Sequence, residues 1–249
     1  MAIDRFFLNL LKESIGHLRK TGNAEIRCLE LAYPDLIVSA QDIAELFGPE
    51  AAKDLPVRPD SEAILRHHGM TGRLPAVFET HALFERIGLQ IEVIDIAVNR
   101  GMERIVDLND PLPADLHERF DLLIDTGTLE HCFNVGQAFK NTCEAMRQGG
   151  VIVHGAPLNR FNHGFWSFNP TLYYDFLGDN GFHILWLKGV QAGPGIKTQT
   201  FDLPPFGRFN EAPAGSAIVG VFERREIRPI VWPVQRKYRK APPVAQGAA

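Results

Sequence analysis

Phe120-Asp121-Leu122-Leu123-Ile124-Asp125 is a nearly continuous apolar run that ends on an acid. A helical pattern over about Val135 to Arg147 follows, then a Gly149-Gly150 break and a second apolar run, Val151-Ile152-Val153-His154. Runs this apolar suit strands buried on both faces, and strand, helix and strand in succession make a parallel pair. The same form repeats upstream. A helix expected from about Pro75 to Ile87 stops at Gly88, the strand Ile91-Glu92-Val93-Ile94-Asp95 follows, and Ile105-Val106-Asp107 makes a shorter one. Ile26-Arg27-Cys28-Leu29-Glu30-Leu31 reads as the first strand. Downstream, Phe182 to Leu187 and Ser216 to Phe222 read as strands joined by a Pro/Gly-rich connection too irregular for a crossover helix. The expectation is an α/β chain with a doubly wound, mostly parallel seven-stranded sheet and an antiparallel closing strand. Ligands of such a sheet gather at the carboxyl ends of its strands.

The length of 249 residues and 45% hydrophobic content suffice for one full core. The organisation expected is an N-terminal amphipathic helix over 1–24, a main domain over 25–223 with an insertion at about 36–75, and a basic, Pro-rich tail over 224–249. Phe7, Leu10, Leu11, Ile15 and Leu18 share one face of the N-terminal helix, and Thr21-Gly22-Asn23 ends it. Asp4, Arg5, Lys12 and Glu13 bracket its apolar run, which is too short for a membrane span of ~20 residues. In the insertion, residues 41–47 form a short helix closed by Gly48-Pro49. The tail after Arg224, with Arg236-Lys237-Tyr238-Arg239-Lys240 and the run Pro242 to Ala249, reads as a solvated terminus. A net charge of -4 offers no field for nucleic acid or an anionic membrane, so a small-molecule or protein partner is expected and a homo-oligomer stays open. Cys28, Cys132 and Cys143 form no CxxC pair and no even framework, which points to reduced thiols and a cytoplasmic protein.

Asp95 ending one strand, Asp107-Leu108-Asn109 after the next, Asp125 ending a third, then Leu129-Glu130-His131 and Gly149-Gly150, together resemble the class I S-adenosylmethionine-dependent methyltransferases. The likeness runs from about Ile26 to Phe222 and is strong from 90 to 182. It implies the Rossmann-like methyltransferase fold, S-adenosylmethionine as cofactor, and methyl transfer. In that family an acid at the second strand's end binds the ribose hydroxyls and an Asp after the third lies near adenine, which assigns Asp95, Asp107, Leu108 and Asp125 to the cofactor. The family's first strand runs into a glycine-rich loop, whereas here Glu30-Leu31-Ala32-Tyr33-Pro34-Asp35 stands there. Ala32 carries a Cβ and Pro34 lacks an amide. Glu30 could bind the methionine amino group, with Tyr33 or Asp35 rebuilding the wall. Glu30 and Asp95 are 65 positions apart, so extra chain separates the first two strands of the family pattern.

The loop after the fifth strand, His154 to Trp166, holds His, Asn and Arg side chains among aromatics and should overhang the crevice. It resembles His-Gly-aromatic segments of methyltransferase-like proteins associated with sugar modification, which implies a small-molecule or sugar-linked acceptor. Expected acceptor residues are His154, Asn159, Asn162, Trp166 and Tyr173, with His163 the first and His131 the second candidate base. The bland reading has His131 bonding backbone at a helix start and His163 anchoring its own loop. His131, His154, His163 and Asp125 offer metal-donor atoms, but no spacing among them is diagnostic and no metal is expected. His67-His68 in the insertion reads as a solvated pair, and Asp60, Glu62 and Arg66 beside it as a lid or a partner surface. The alternative to an enzyme is a non-catalytic protein of the same fold that binds a ligand or partner through a degenerate cofactor loop.

Overall fold

The computed structural model describes residues 2–22, 25–193 and 196–239. Asn23 of the expected helix stop, Lys240 of the basic run and the Pro242 to Ala249 terminus lie outside the described residues. The chain opens with a short strand β1 (Ala2–Ile3) and the helix α1 (Arg5–Lys20), followed by β2 (Ile26–Leu31) and β3 (Asp35–Leu36). Then come α2 (Ala40–Phe47), α3 (Pro49–Ala52), α4 (Ser61–His67) and α5 (Thr80–Arg86). The central part holds β4 (Leu89–Asp95), β5 (Glu103–Ile105), β6 (Phe120–Asp125), α6 (Val135–Ala145) and β7 (Met146–Pro157). The last elements are α7 (Pro170–Leu172), β8 (Phe182–Gly193), β9 (Ile196–Phe201) and β10 (Ala217–Arg224).

Among the described residues β5-β4-β2-β6-β7-β10-β8-β9 form one sheet in that order. The pairs from β5 to β7 are parallel, and β10 inserts antiparallel between β7 and β8. Apolar side chains cover both faces. Leu29, Leu31, Leu123 and Ile152 face one cluster with α6, while Ile26, Cys28, Leu122, Ile124 and Val153 face a second with α1 and α5. This is a doubly wound, mostly parallel Rossmann-like α/β fold. No helix among the described residues is long and apolar enough to cross a membrane.

Several boundaries differ from the expectation, each for a local reason. β9 is an eighth strand inside the connection expected to be irregular, pairing antiparallel with β8 as an edge hairpin. It carries no apolar run because its described side chains are exposed or half-buried. α5 starts at Thr80 rather than Pro75, because Phe78 is extended and bridges both Leu36 and Val57. β5 ends at Ile105, which leaves Asp107 in the following loop. Gly149-Gly150 is not a break. Gly149 takes φ 79° inside β7, where the pairing with β6 shifts register, and a Cβ on Gly150 would lie 2.9 Å from the Phe120 carbonyl. Arg224 ends β10 and is buried, and the segment after it packs: Trp232 stacks on Phe176 and Val231 exchanges hydrogen bonds with Asn180.

The N-terminal helix forms because Asp4 accepts from the Phe7 amide at 2.8 Å, while His17, Arg19 and Lys20 suit the negative end of its dipole. Phe7, Leu10, Leu11, Ile15 and Leu18 are buried. Gly155 of β7 permits this approach, since a Cβ there would come 3.2 Å from the Phe7 ring.

Candidate active site

The carboxyl ends of β2, β4, β6 and β7 open into a cavity of about 840 Å³. One part is lined by Ala32, Asp95, Asp107, Leu108 and the Thr126 to Thr128 loop. It continues past Glu130, His131, Arg160 and His163 to a more apolar part between Phe6 and Phe7 and the strand residues Val190, Ala217 and Val219. The insertion contributes His67, His68 and Met70 to the wall.

Asp95 ends β4 and uses Oδ1 to accept from the Ala97 amide at 3.3 Å, and Asp107 Oδ1 accepts from the Asn109 amide and side chain, both at 2.8 Å. Among the described residues Oδ2 of each acid is left without a hydrogen bond. Leu108 is held by a residue that sequence reasoning missed. Asn141 of α6 donates to the Leu108 and Asp110 carbonyls at 3.0 and 2.8 Å and accepts from the Leu112 amide at 3.0 Å. An Asn in the buried face of a helix was the available signal, because a buried amide needs partners.

The turn after β2 replaces the glycine loop in an unexpected way. Ala32 itself adopts φ 61°, the left-handed conformation that glycine takes without penalty, and its amide donates to the Ile94 carbonyl at 2.8 Å. Tyr33 and Asp35 do not rebuild the cavity wall. Tyr33 is buried, donating to Glu79 at 2.8 Å and accepting from the His81 amide at 3.0 Å, with Arg58 and Arg100 over its ring. Asp35 pairs with the buried Arg58 at 2.8 Å and with His68 Nε2 at 2.9 Å. His68 of the His67-His68 pair is therefore not free in solvent, because Asp35 holds it, while His67 is exposed; both residues line the cavity.

Three expected contacts belong to the core instead. Asp125 is fully buried and its Oδ1 accepts from the Gly127 and Thr128 amides at 3.0 and 2.7 Å. Its Oδ2 lies 2.7 Å from His154 Nδ1, and His154 Nε2 lies 2.8 Å from the Tyr173 hydroxyl. Burial raises the Tyr173 pKa well above its ordinary value, so the hydroxyl donates to Nε2 and the imidazole donates onward to Asp125. This relay shapes the Thr126 to Thr128 wall from behind; Asp125, His154 and Tyr173 do not line the cavity. Glu30 is likewise buried, with Oε1 unpartnered, and burial pushes its pKa up to about 8. It too stays behind the wall.

Of the loop residues, Asn159 donates to the Ala212 carbonyl at 2.7 Å and Trp166 Nε1 to the Cys132 carbonyl at 3.0 Å, while Asn162 is exposed at φ 54°. They build the loop and do not line the cavity. His131 and His163 do, and Glu130 joins them. Glu130 Oε1 lies 3.9 Å from His131 Nε2 and 3.5 Å from His163 Nε2. Glu130 is buried, and burial with the nearby Asp125 charge pushes its pKa up to about 8. Partial burial, then the neighbouring His131 and Arg160, lower the His163 pKa, which favours the neutral ring.

Two solved structures resemble this architecture. The N-methyltransferase NodS from Bradyrhizobium japonicum WM9 is 12% identical with a TM-score of 0.42, over 90% of this chain and 99% of that one. The 1,6-didemethyltoxoflavin-N1-methyltransferase from Burkholderia thailandensis, with 1,6-didemethyltoxoflavin and S-adenosylhomocysteine bound, is 13% identical with a TM-score of 0.44, over 86% and 77%. The likeness is one of fold. No protein-family model and no curated protein sequence matches the chain.

Proposed function

We propose that the protein is an S-adenosylmethionine-dependent methyltransferase acting on a small-molecule or sugar-linked acceptor. The observation that carries this reading is the pair Asp95, at the end of β4, and Asp107, in the loop just after β5, which line one cavity, each with an unengaged carboxylate oxygen. A strand end fixes Asp95 rigidly, and a carboxylate can accept from two ribose hydroxyls. The chain's residues fit the cofactor, because Ala32 keeps the left-handed turn that the missing glycine would have made. Asp95 would hold the ribose, and Asp107 with Leu108 would border the adenine. Bound there, S-adenosylmethionine would supply an electrophilic methyl group.

The acceptor end is His163, His131, Glu130 and Arg160. His163, held neutral by burial, would accept the acceptor's proton in the metal-free protein, with His131 as the second candidate. Asp125, Glu30, His154 and Tyr173 act by shaping the wall rather than by contact. Three free, buried cysteines agree with a reducing compartment, and cytoplasmic residence is part of the same proposal.

Calorimetric titration with S-adenosylmethionine and S-adenosylhomocysteine tests the reading. Binding that is lost in Asp95→Ala supports it; no binding up to millimolar ligand returns the chain to the alternative, a non-catalytic binding protein, to which Pro34's missing amide already points. His163→Ala should lower turnover and leave cofactor affinity unchanged, and equal losses in both would reject the base.

A further inference from the structure

We infer that Glu130, His131 and His163 bind a divalent transition-metal ion at the acceptor end of the cavity. One ligand atom from each residue falls in a group whose members all lie within 4.8 Å of one another. The Glu130 to histidine separations of 3.9 and 3.5 Å are longer than ordinary hydrogen bonds, so these groups converge without satisfying one another. The second carboxylate oxygen, Oε2, is buried and has no hydrogen-bond partner among the described residues. A buried carboxyl oxygen left without a partner is costly, and a cation placed among the three groups supplies one.

The loops are held in register for this purpose before any ion arrives. The Phe165 and Trp166 amides both donate to the Glu130 carbonyl, at 2.9 and 3.3 Å. A Cβ on Gly164 would come 2.8 Å from that same oxygen, so glycine beside His163 is what lets the two segments touch. The histidine side chains are 49% and 41% exposed, which leaves them room to close onto an ion with bond lengths of ~2.0–2.2 Å. Arg160, the nearby cation, is turned to the Gly215 carbonyl at 2.8 Å.

Two imidazole nitrogens and one carboxylate oxygen suit zinc, cobalt, iron(II) or manganese(II) better than magnesium or calcium, which prefer all-oxygen shells. Three protein ligands leave positions open toward the cavity. Resting on the methyltransferase reading, the open positions would take an acceptor hydroxyl, with adjacent oxygens on the acceptor favoured because they can chelate. The cation would make that hydroxyl more acidic, so that its proton would leave to solvent water through the open cavity, and His163 would then serve as ligand instead of base.

The experiment uses untagged, chelator-stripped full-length protein titrated with Co²⁺, followed by its visible absorption, and with Zn²⁺ and Mg²⁺ by calorimetry. One Co²⁺ site is expected, weakened at least about tenfold by His131→Asn and by His163→Asn and unchanged by His67→Asn. Glu130→Gln should abolish it, and if that variant fails to fold the two exposed histidines decide. Absence of Co²⁺ and Zn²⁺ binding to millimolar concentration, or binding indifferent to both histidine variants, overturns the site. Asp95→Ala should lose the cofactor and keep the metal, so failure of the cofactor reading and failure of the metal reading are separate results.

Discussion

Ala32 stands where the backbone must turn with φ 61°, a conformation that disfavours any Cβ. Ala32→Gly should relieve a penalty of ~1–2 kcal/mol, partly offset by the freer unfolded chain, and raise the melting temperature by about 1–3 °C. Ala32→Val should lower it, and the reverse order in thermal unfolding would show that the turn is not strained. Glu30 makes a second prediction. Its pKa is about 8 in the fold because burial opposes its charge, against an ordinary value of 4.5. The folded state therefore keeps a proton that the unfolded state gives up, so the group's contribution is complete below pH 4.5 and is lost as pH rises through about 8. Glu30→Gln should flatten that fall, by an amount on the order of a few kcal/mol between pH 5 and pH 9, read as melting temperatures across the range. Parallel pH profiles in both proteins would refute the assignment. At this scale Asp107 falls in the loop two residues past β5, whereas Asp95 was legible as a strand end because its apolar run announces it. Asp125 was misread for the same reason: whether a terminal acid faces the cavity or the core depends on its partners, here His154 and two amides.

Elements were legible wherever periodicity was strong. The apolar strands β2, β4 and β6 lie where their hydrophobic runs place them, since each is covered on both faces. The edge strand β9 was not, because one exposed side removes the apolar signal and its pairing with β8 depends on partners distant in sequence. That hairpin rests on one close approach: Gly189 of β8 leaves space for the Phe201 ring, which a Cβ would occupy. Gly189→Ala should displace the ring, cost ~1–3 kcal/mol and speed amide exchange along Ile196–Phe201 while the central strands keep their protection. Unchanged exchange on that strand would mean that the ring is not what seats it. The insertion was legible in part. Only α2, expected over 41–47, was readable there; the Pro- and Gly-rich stretch after it hides α3, α4 and the Asp35, Arg58 and His68 network, whose members come together only in the folded chain.

The whole molecule closes its cavity with parts from distant stretches: strand ends, the loop of His163, the insertion and the first residues of the chain. Ligand binding should therefore stabilise all of it. At a hundredfold excess over its dissociation constant, S-adenosylhomocysteine should add ~2.7 kcal/mol and raise the melting temperature by about 5–10 °C. Asp95→Ala should abolish the increment, and an equal shift in that variant would place the ligand elsewhere. The fold class was readable from the alternation of strands and helices, whereas the cavity's extent was not, because it depends on how unconnected segments meet. One such meeting has a practical side. Ala2 pairs with Asp35 and Ile3 with Leu36, while Ala2, Asp4, Phe6 and Phe7 line the cavity. A purification tag fused ahead of Ala2 would emerge at that wall, beside His67 and His68. Ligand affinities measured on such a fusion would report the tag as well as the protein.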